Sequence, residues 1–263
     1  MRPRAIVIFE QGSGPPLVLV PGIPGPWEYV RPAVAALSSS FRVITFPLGP
    51  ECSIESDVAR IEQALGERRI DQAVVCGISF GGLIALRFAA TNPARTRALV
   101  LASTPGPGAR LRAMHRMYAR WPYVFGPLFV AETPFRLRPE VVSALPSRSD
   151  RRAFYWSQLQ TFLSAGVSLA QIAHRARLME ELDIAGDCRR VTAPTLVVTG
   201  EPALDWVVPV GETAEFARLI HGARHLVLER TGHLGTITQP AVFAAAVARF
   251  VNDVDGRDRS EVA

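Results

Sequence analysis

The fold of this chain turns on Ala73-Val74-Val75-Cys76-Gly77-Ile78-Ser79-Phe80-Gly81-Gly82-Leu83-Ile84-Ala85-Leu86-Arg87-Phe88-Ala89-Ala90. The first four residues form a short apolar run, as a buried strand does. Residues 80–90 read as a helix. Between them, Gly77-Ile78-Ser79-Phe80-Gly81 puts a serine at a sharp turn from strand to helix. A hydroxyl at such a turn projects above the sheet, and glycines flank it because the tight turn leaves no room for side chains beside it. That is the placement a serine nucleophile needs.

Outward from this turn, short apolar runs alternate with longer amphipathic ones. Strands are predicted at 5–9, 17–20, 42–46, 73–76, 98–102, 195–198 and 225–228. They are rich in Val, Leu and Ile, and most lack polar alternation, as strands covered on both faces do. Helices are predicted near 27–37, 54–65, 80–90, 209–220 and 240–251. The alternation implies an α/β fold built on a doubly wound, mostly parallel sheet.

One segment breaks the rhythm. From residue 104 to 186 no strand is predicted. The segment opens with Pro105-Gly106-Pro107-Gly108, and its helices are expected to break at Pro122, Pro127, Pro134, Pro139 and Pro146. It is rich in aromatic residues, Trp121, Tyr118, Phe129, Phe135 and Trp156 among them. A helical, aromatic insertion of this length reads as a cap (104–186) over the active edge of a core formed by 1–103 and 187–253. Some of the aromatics should pack the cap onto the core; Trp121 and Trp156 are assigned to substrate binding. Residues 254–263 are polar and read as a flexible tail.

Acyl transfer needs a nucleophile, a base to take its proton and a carboxylate to orient that base. Ser79 is the candidate nucleophile. His233, in Glu229-Arg230-Thr231-Gly232-His233-Leu234, follows the last predicted strand closely. It therefore belongs to a loop at a strand C-terminus, where parallel sheets place their chemistry. His115, His174, His221 and His225 lie on helices, at a helix end or in a strand, and are weaker candidates for the base. For the acid, Asp205 in Gly200-Glu201-Pro202-Ala203-Leu204-Asp205 is preferred, with Glu201 as its competitor nearer the strand end. Asp183 and Asp187 precede that strand and belong on the other side of the sheet. The chain order is then Ser, Asp, His.

These segments together resemble an α/β-hydrolase, over almost the whole chain outside the insertion. Val20-Pro21-Gly22-Ile23 resembles that family's oxyanion loop, and Cys76-Gly77-Ile78-Ser79-Phe80-Gly81-Gly82 its nucleophile elbow. The stretch Ala193-Pro194-Thr195-Leu196-Val197-Val198-Thr199-Gly200 resembles the strand before its acid, and Gly232-His233 its histidine loop. The chain departs from the pattern in having Pro21-Gly22 where the family usually has His-Gly, and in two extra residues before Asp205. With one strand, 5–9, before the strand that leads into the oxyanion loop, a sheet of about seven or eight strands is expected. The resemblance implies an oxyanion hole formed by the backbone N–H groups of Ile23 and Phe80. Pro21, Pro24 and Pro26 cannot donate, but Ile23 can. It also implies an enzyme that needs no metal or organic cofactor. A serine at the elbow argues against dehalogenases and epoxide hydrolases of this fold, which use aspartate there.

The implied activity is a carboxylic ester hydrolase acting through an acyl-enzyme on small to medium esters. An enol-lactonase or carbon–carbon bond hydrolase is the alternative enzyme, and a non-catalytic ligand-binding relative the alternative of another class. The net charge is +5, and every Lys or Arg position is arginine. Arg110, Arg112, Arg116 and Arg120 are interleaved with Met114, Met117, Tyr118 and Trp121, which reads as a lid helix with a solvated basic face. No nucleic-acid motif accompanies it; a membrane-surface or anionic-substrate role is the alternative. Hydrophobic residues make up 48% of the 263, enough for a full core, and no stretch is long enough to span a bilayer. Cys52, Cys76 and Cys188 show neither metal nor disulfide spacing. The apolar start is too short for a signal peptide, so a cytoplasmic protein with a small-molecule ester substrate is expected, of undetermined oligomeric state.

Overall fold

A computed structural model describes residues 7–261, with side chains through residue 256. Its centre is a seven-stranded sheet. In chain order the strands are β1 (Phe9–Gln11), β2 (Pro16–Val20), β3 (Arg42–Thr45), β4 (Ala73–Ile78), β5 (Thr96–Ala102), β6 (Thr195–Thr199) and β7 (Arg224–Val227). Their spatial order is β1-β3-β2-β4-β5-β6-β7. All neighbours are parallel except β1, which pairs antiparallel with β3.

The first strand lies further along the chain than predicted. Residues 5 and 6 fall outside the described residues, and the paired segment is Phe9–Gln11. An edge strand needs only one apolar face, so exposed Glu10 and Gln11 are tolerated, while Phe9 stacks on Trp27 at 4.1 Å between ring centroids.

Each interior strand sends alternate side chains to two separate cores. Leu17, Leu19, Val43, Val74 and Cys76 face one layer with α1 (Arg31–Leu37) and the last helix. Val18, Val20, Ile44, Val75 and Leu101 face the other, with α2 (Ile54–Glu67) and α3 (Phe80–Thr91). The chain leaves β2 to one side for β3 and to the other for β4. Their C-terminal ends therefore open a crevice at the switch point, with Val20 paired to Gly77.

Between β5 and β6 no strand forms. The chain instead builds α4 (Ala113–Arg120), α5 (Pro122–Ala144), α6 (Arg148–Ala165) and α7 (Leu169–Leu178), then α8 (Ile184–Arg190). The expected boundary at residue 186 falls inside α8, whose Ile184 and Cys188 pack into the sheet core. Two of the five prolines stand at helix breaks as expected: Pro122 opens α5 after α4, and Pro146 lies between α5 and α6. The other three do not break the helix, which runs through Pro127, Pro134 and Pro139. The carbonyls these prolines leave without a donor belong to Tyr123, Val130 and Phe135. Tyr123 and Phe135 are exposed, so water can serve them where a buried helix would kink or stop.

After β6, the predicted helix over 209–220 divides into α9 (Val210–Ala214) and α10 (Phe216–Leu219). After β7 come α11 (Gly235–Thr238) and α12 (Pro240–Glu261). The residues expected to form a flexible tail are helical through Glu261, and 262–263 lie outside the described residues. Val254 is buried, and Asp255 accepts from the Arg97 guanidinium, so polar composition there marks a docked helix end. No described helix is long and apolar enough to cross a membrane.

Candidate active site

Ser79 sits between β4 and α3 at φ 55° and ψ −125°, a conformation non-glycine residues rarely adopt. The fold enforces it with two hydrogen bonds: Ser79 N–H donates to Ala102 O at 2.8 Å, and Gly82 N–H donates to Ser79 O at 2.8 Å. The flanking glycines are required by space. A β-carbon on Gly77 would lie 2.3 Å from Gly81 O, and one on Gly81 would lie 2.3 Å from Pro21 O. The second contact shows that the elbow is pressed against the loop that follows β2.

The loop after β7 brings His233 to the serine, with Nε2 3.1 Å from Ser79 Oγ. This loop is tied to the one after β6. Glu201 N–H donates to Thr231 O at 2.7 Å, and Glu201 Oε1 accepts Arg230 N–H at 2.6 Å. Glu201, the competitor for the acid, is thus occupied as a loop tie. Asp205 is the carboxylate brought to the histidine. Its Oδ1 accepts the N–H groups of Val207 and Val208 at 3.0 and 2.9 Å. Its Oδ2 lies 3.6 Å from His233 Nδ1, an ion-pair separation too long for a hydrogen bond.

Burial opposes charge on both groups, and in both cases the partner prevails. Burial pushes Asp205 up, yet His233 and the two amides hold it below the usual aspartate value. Burial pushes His233 down, yet Asp205 and then Glu140 hold it above the usual histidine value. Asp183 caps the start of α8, and Asp187 pairs with Arg87 and Arg190, so neither reaches the site.

The Gly22 position closes the crevice opposite the serine; a β-carbon there would lie 3.5 Å from Ser79 Cβ. Ile23 and Phe80 follow Gly22 and Ser79 directly. Among the described residues, neither of their N–H groups donates to a protein acceptor. The two tryptophans assigned to substrate binding are mostly outside. Trp121 is 55% and Trp156 61% exposed. Trp121 lines a cavity of about 580 Å³ with Leu111, Arg116, Ala119, Arg120, Arg177 and Glu180, and neither Ser79, Asp205 nor His233 lines it.

Two residues that the sequence reading did not single out reach into the site from the helical insertion. Arg175 on α7 is almost fully buried and donates to Ile23 O at 3.0 Å, Pro24 O at 3.3 Å and Gly49 O at 3.0 Å. Glu140 on α5 is fully buried and accepts Leu234 N–H at 2.6 Å. Each stands at helical spacing from apolar neighbours: Ile172 and Leu178 around Arg175, Leu137 and Ala144 around Glu140. A charged residue within an inward-facing row was the available signal.

Among the described residues, no group of three or more His, Cys, Asp or Glu could hold a metal ion. Cys52, Cys76 and Cys188 are buried and unpaired, and burial drives the Cys188 thiol up to about 12.

The model of the alpha/beta hydrolase family matches residues 17–246. A 2-hydroxy-6-oxo-2,4-heptadienoate hydrolase from Pseudomonas putida is 29% identical over 94% of this chain and 91% of its own. A pimeloyl-[acyl-carrier protein] methyl ester esterase from Nitrosomonas europaea is 25% identical, over 92% of this chain and 97% of its own. Among solved structures, an enol-lactonase from Burkholderia xenovorans superposes with a TM-score of 0.76 at 21% identity, covering 94% of this chain and 96% of that one.

Proposed function

The chain belongs to the alpha/beta hydrolase family, and on that premise we propose that it is a serine hydrolase cleaving small to medium carboxylic esters. One observation carries the reading: Ser79 Oγ lies 3.1 Å from His233 Nε2, with Asp205 on the far side of the ring. Ser79 attacks the ester carbonyl and passes its proton to His233. Asp205 orients the ring and stabilises the imidazolium. The tetrahedral oxyanion is received by Ile23 N–H and Phe80 N–H, each donor contributing about 3 kcal/mol to the transition state. His233 then protonates the leaving alcohol. Water, activated by the same histidine, cleaves the acyl-enzyme to the free acid. No residue of this sequence of steps calls for a metal or organic cofactor.

The insertion serves as the cap, since two of its helices bind the loops around the serine. Its sequence is rich in aromatic residues and carries Met114, Met117 and Met179, which favours acyl chains of roughly two to eight carbons, with activity rising and then falling along the series. Three buried, unpaired cysteines fit the reducing cytoplasm. A second reading, an enol-lactonase or carbon–carbon bond hydrolase, is favoured by the identity to the Pseudomonas putida hydrolase.

Labelling by a fluorophosphonate probe tests the serine. Wild type is expected to label at Ser79, and an unlabelled protein would point to a ligand-binding relative. A panel of nitrophenyl esters of increasing chain length, set beside an enol-lactone, then separates the two enzymatic readings. A preference for long-chain triglyceride emulsions would overturn the small-ester reading.

A further inference from the structure

Glu140 is a carboxylate where the reaction steps above require none. It lies near the C-terminus of α5 with no exposed surface. Its Oε1 accepts the N–H of Leu234, the residue after His233, at 2.6 Å, while its buried Oε2 has no hydrogen-bond partner among the described residues. One turn further along α5, Ser143 O accepts the Arg230 guanidinium at 2.6 and 3.1 Å. The end of α5 therefore grips the histidine loop on both sides of His233.

An amide would serve Leu234 N–H equally well, and it would not place a charge in the interior. The carboxylate has a use because the counter-ion of His233 is incomplete. Asp205 stands 3.6 Å from Nδ1, and that nitrogen has no hydrogen-bond partner. Resting on the serine-hydrolase reading, we propose that Glu140 is a positioning residue lent by the cap. It fixes the His233 loop through Leu234 and supplies, with Asp205, the negative charge that steadies the imidazolium. Glu140 takes no proton from the substrate; the proton moves from Ser79 Oγ to His233 Nε2. The second part of the counter-charge is supplied by α5, through its contact with the histidine loop.

The groups acting on Glu140 are few. Burial raises it to about 7, the amides of Gly232 and Leu234 and the His233 ring oppose that rise, and the Asp205 charge adds to it. Arg230 is held by Ser143 O, and Glu201 by Arg230 N–H. Because Glu140 holds its proton more tightly when folded than its ordinary 4.5, its contribution to stability falls as pH rises through the interval from 4.5 to about 7. Glu140→Gln removes that loss, so the variant is expected to melt at or above the wild-type temperature at alkaline pH.

The test is the rate of Ser79 labelling by a fluorophosphonate, in which Oγ displaces fluoride, from about pH 5 to pH 9. The acidic limb follows His233. Glu140→Gln keeps the acceptor and loses the charge; because Glu140 is only partly ionised across this limb, the limb is expected to move to lower pH by a few tenths of a unit. Glu140→Asp keeps the charge on a shorter arm; its limb should stay at the wild-type position while the rate falls several-fold. Superimposable wild-type and Gln profiles, or an Asp limb displaced like that of Gln, would overturn the proposal. An unlabelled wild type would instead overturn the serine-hydrolase reading beneath it.

Discussion

The sheet and the cap bury opposite kinds of side chain. Every residue of β4 is buried, and the side chains facing the two cores are aliphatic almost throughout. The cap leaves Tyr123, Phe135 and Trp156 in solvent and encloses Glu140 and Arg175. Arg175 is the bulkiest of the fully buried side chains. The sheet is held by apolar burial, which is non-directional and spread over dozens of residues. The cap is held at its inner face by a few directional, charge-assisted hydrogen bonds. Those bonds end on the loops that carry Ile23 and His233, so the contacts that dock the insertion also border Ser79.

The largest effects should come from the sheet side of this contrast. Ser79→Ala and His233→Ala are each expected to lower kcat by about 10⁶-fold, with little added loss when combined, because the residues act as a unit. Their melting curves should match wild type. Asp205→Asn should cost about 10⁴-fold, since His233 loses its orienting carboxylate. Glu201→Gln, which keeps an acceptor for Arg230 N–H, should change kcat only a few-fold. The check is steady-state kinetics on a nitrophenyl ester. The reverse ranking of Asp205 and Glu201 would move the acid to the strand end.

Arg175 breaks or sharpens the cap side. Its guanidinium is the last link in a buried chain: Asp57 accepts Gly49 N–H at 2.7 Å, and Gly49 O and Ile23 O both accept Arg175. Burial raises Asp57 to about 6, while Arg175 and Arg60 oppose the rise. Arg175→Met leaves Ile23 O and Pro24 O without a donor and Gly49 O with the long Cys52 N–H bond at 3.4 Å, a loss of about 2 kcal/mol or more. Ile23 then loses the anchor on its carbonyl side, and its N–H is held in place only through Gly22 O, which accepts Gly25 N–H at 3.0 Å, so kcat should fall by about ten- to a hundred-fold with KM little changed. Denaturation midpoints and kinetics read the two effects separately. If stability fell while kcat held, the cap would merely pack on the loop, and the contrast with the sheet would lose its functional meaning.

How much of this the sequence disclosed follows from how local each signal is. The strand, the glycine-flanked turn and the helix around Ser79 are contiguous, and so are the strand and loop that carry His233. The two acids of the β6 loop could be ranked only by alignment, because the choice depends on how two loops pack together. Glu201 is engaged by Arg230 and Thr231, which are distant in sequence. The prolines inside α5 signal breaks that solvent exposure removes. The polar end of α12 conceals the pairing of Arg97 with Asp255. Arg175 and Glu140 interrupt apolar rows, and their partners are backbone groups, which leave no trace in residue identity.

The smallest effects should come from the cap's outer surface. Trp121 and Trp156 are more than half exposed, and the Arg120 guanidinium lies 5.9 Å from the Trp121 ring centroid. Truncating either ring removes only its buried part, so Trp121→Ala and Trp156→Ala should each cost about 1–2 kcal/mol of stability, less than Arg175→Met. Their effect on selectivity is bounded by the acyl chain. One methylene is worth about 0.8 kcal/mol, or roughly four-fold in kcat/KM. A ring at the rim of the acyl site should therefore move the optimum by about one or two carbons and no more. Trp121 is the sharper probe, because its cavity holds arginines and a glutamate but no residue of the serine–histidine pair. If Trp121→Ala shifts the ester chain-length profile, that cavity communicates with Ser79 and the cap's outer face takes part in selection. If the profiles of both variants superimpose on wild type, the rings belong to the solvent side, and acyl selectivity must reside nearer Ile23, Glu140 and Arg175.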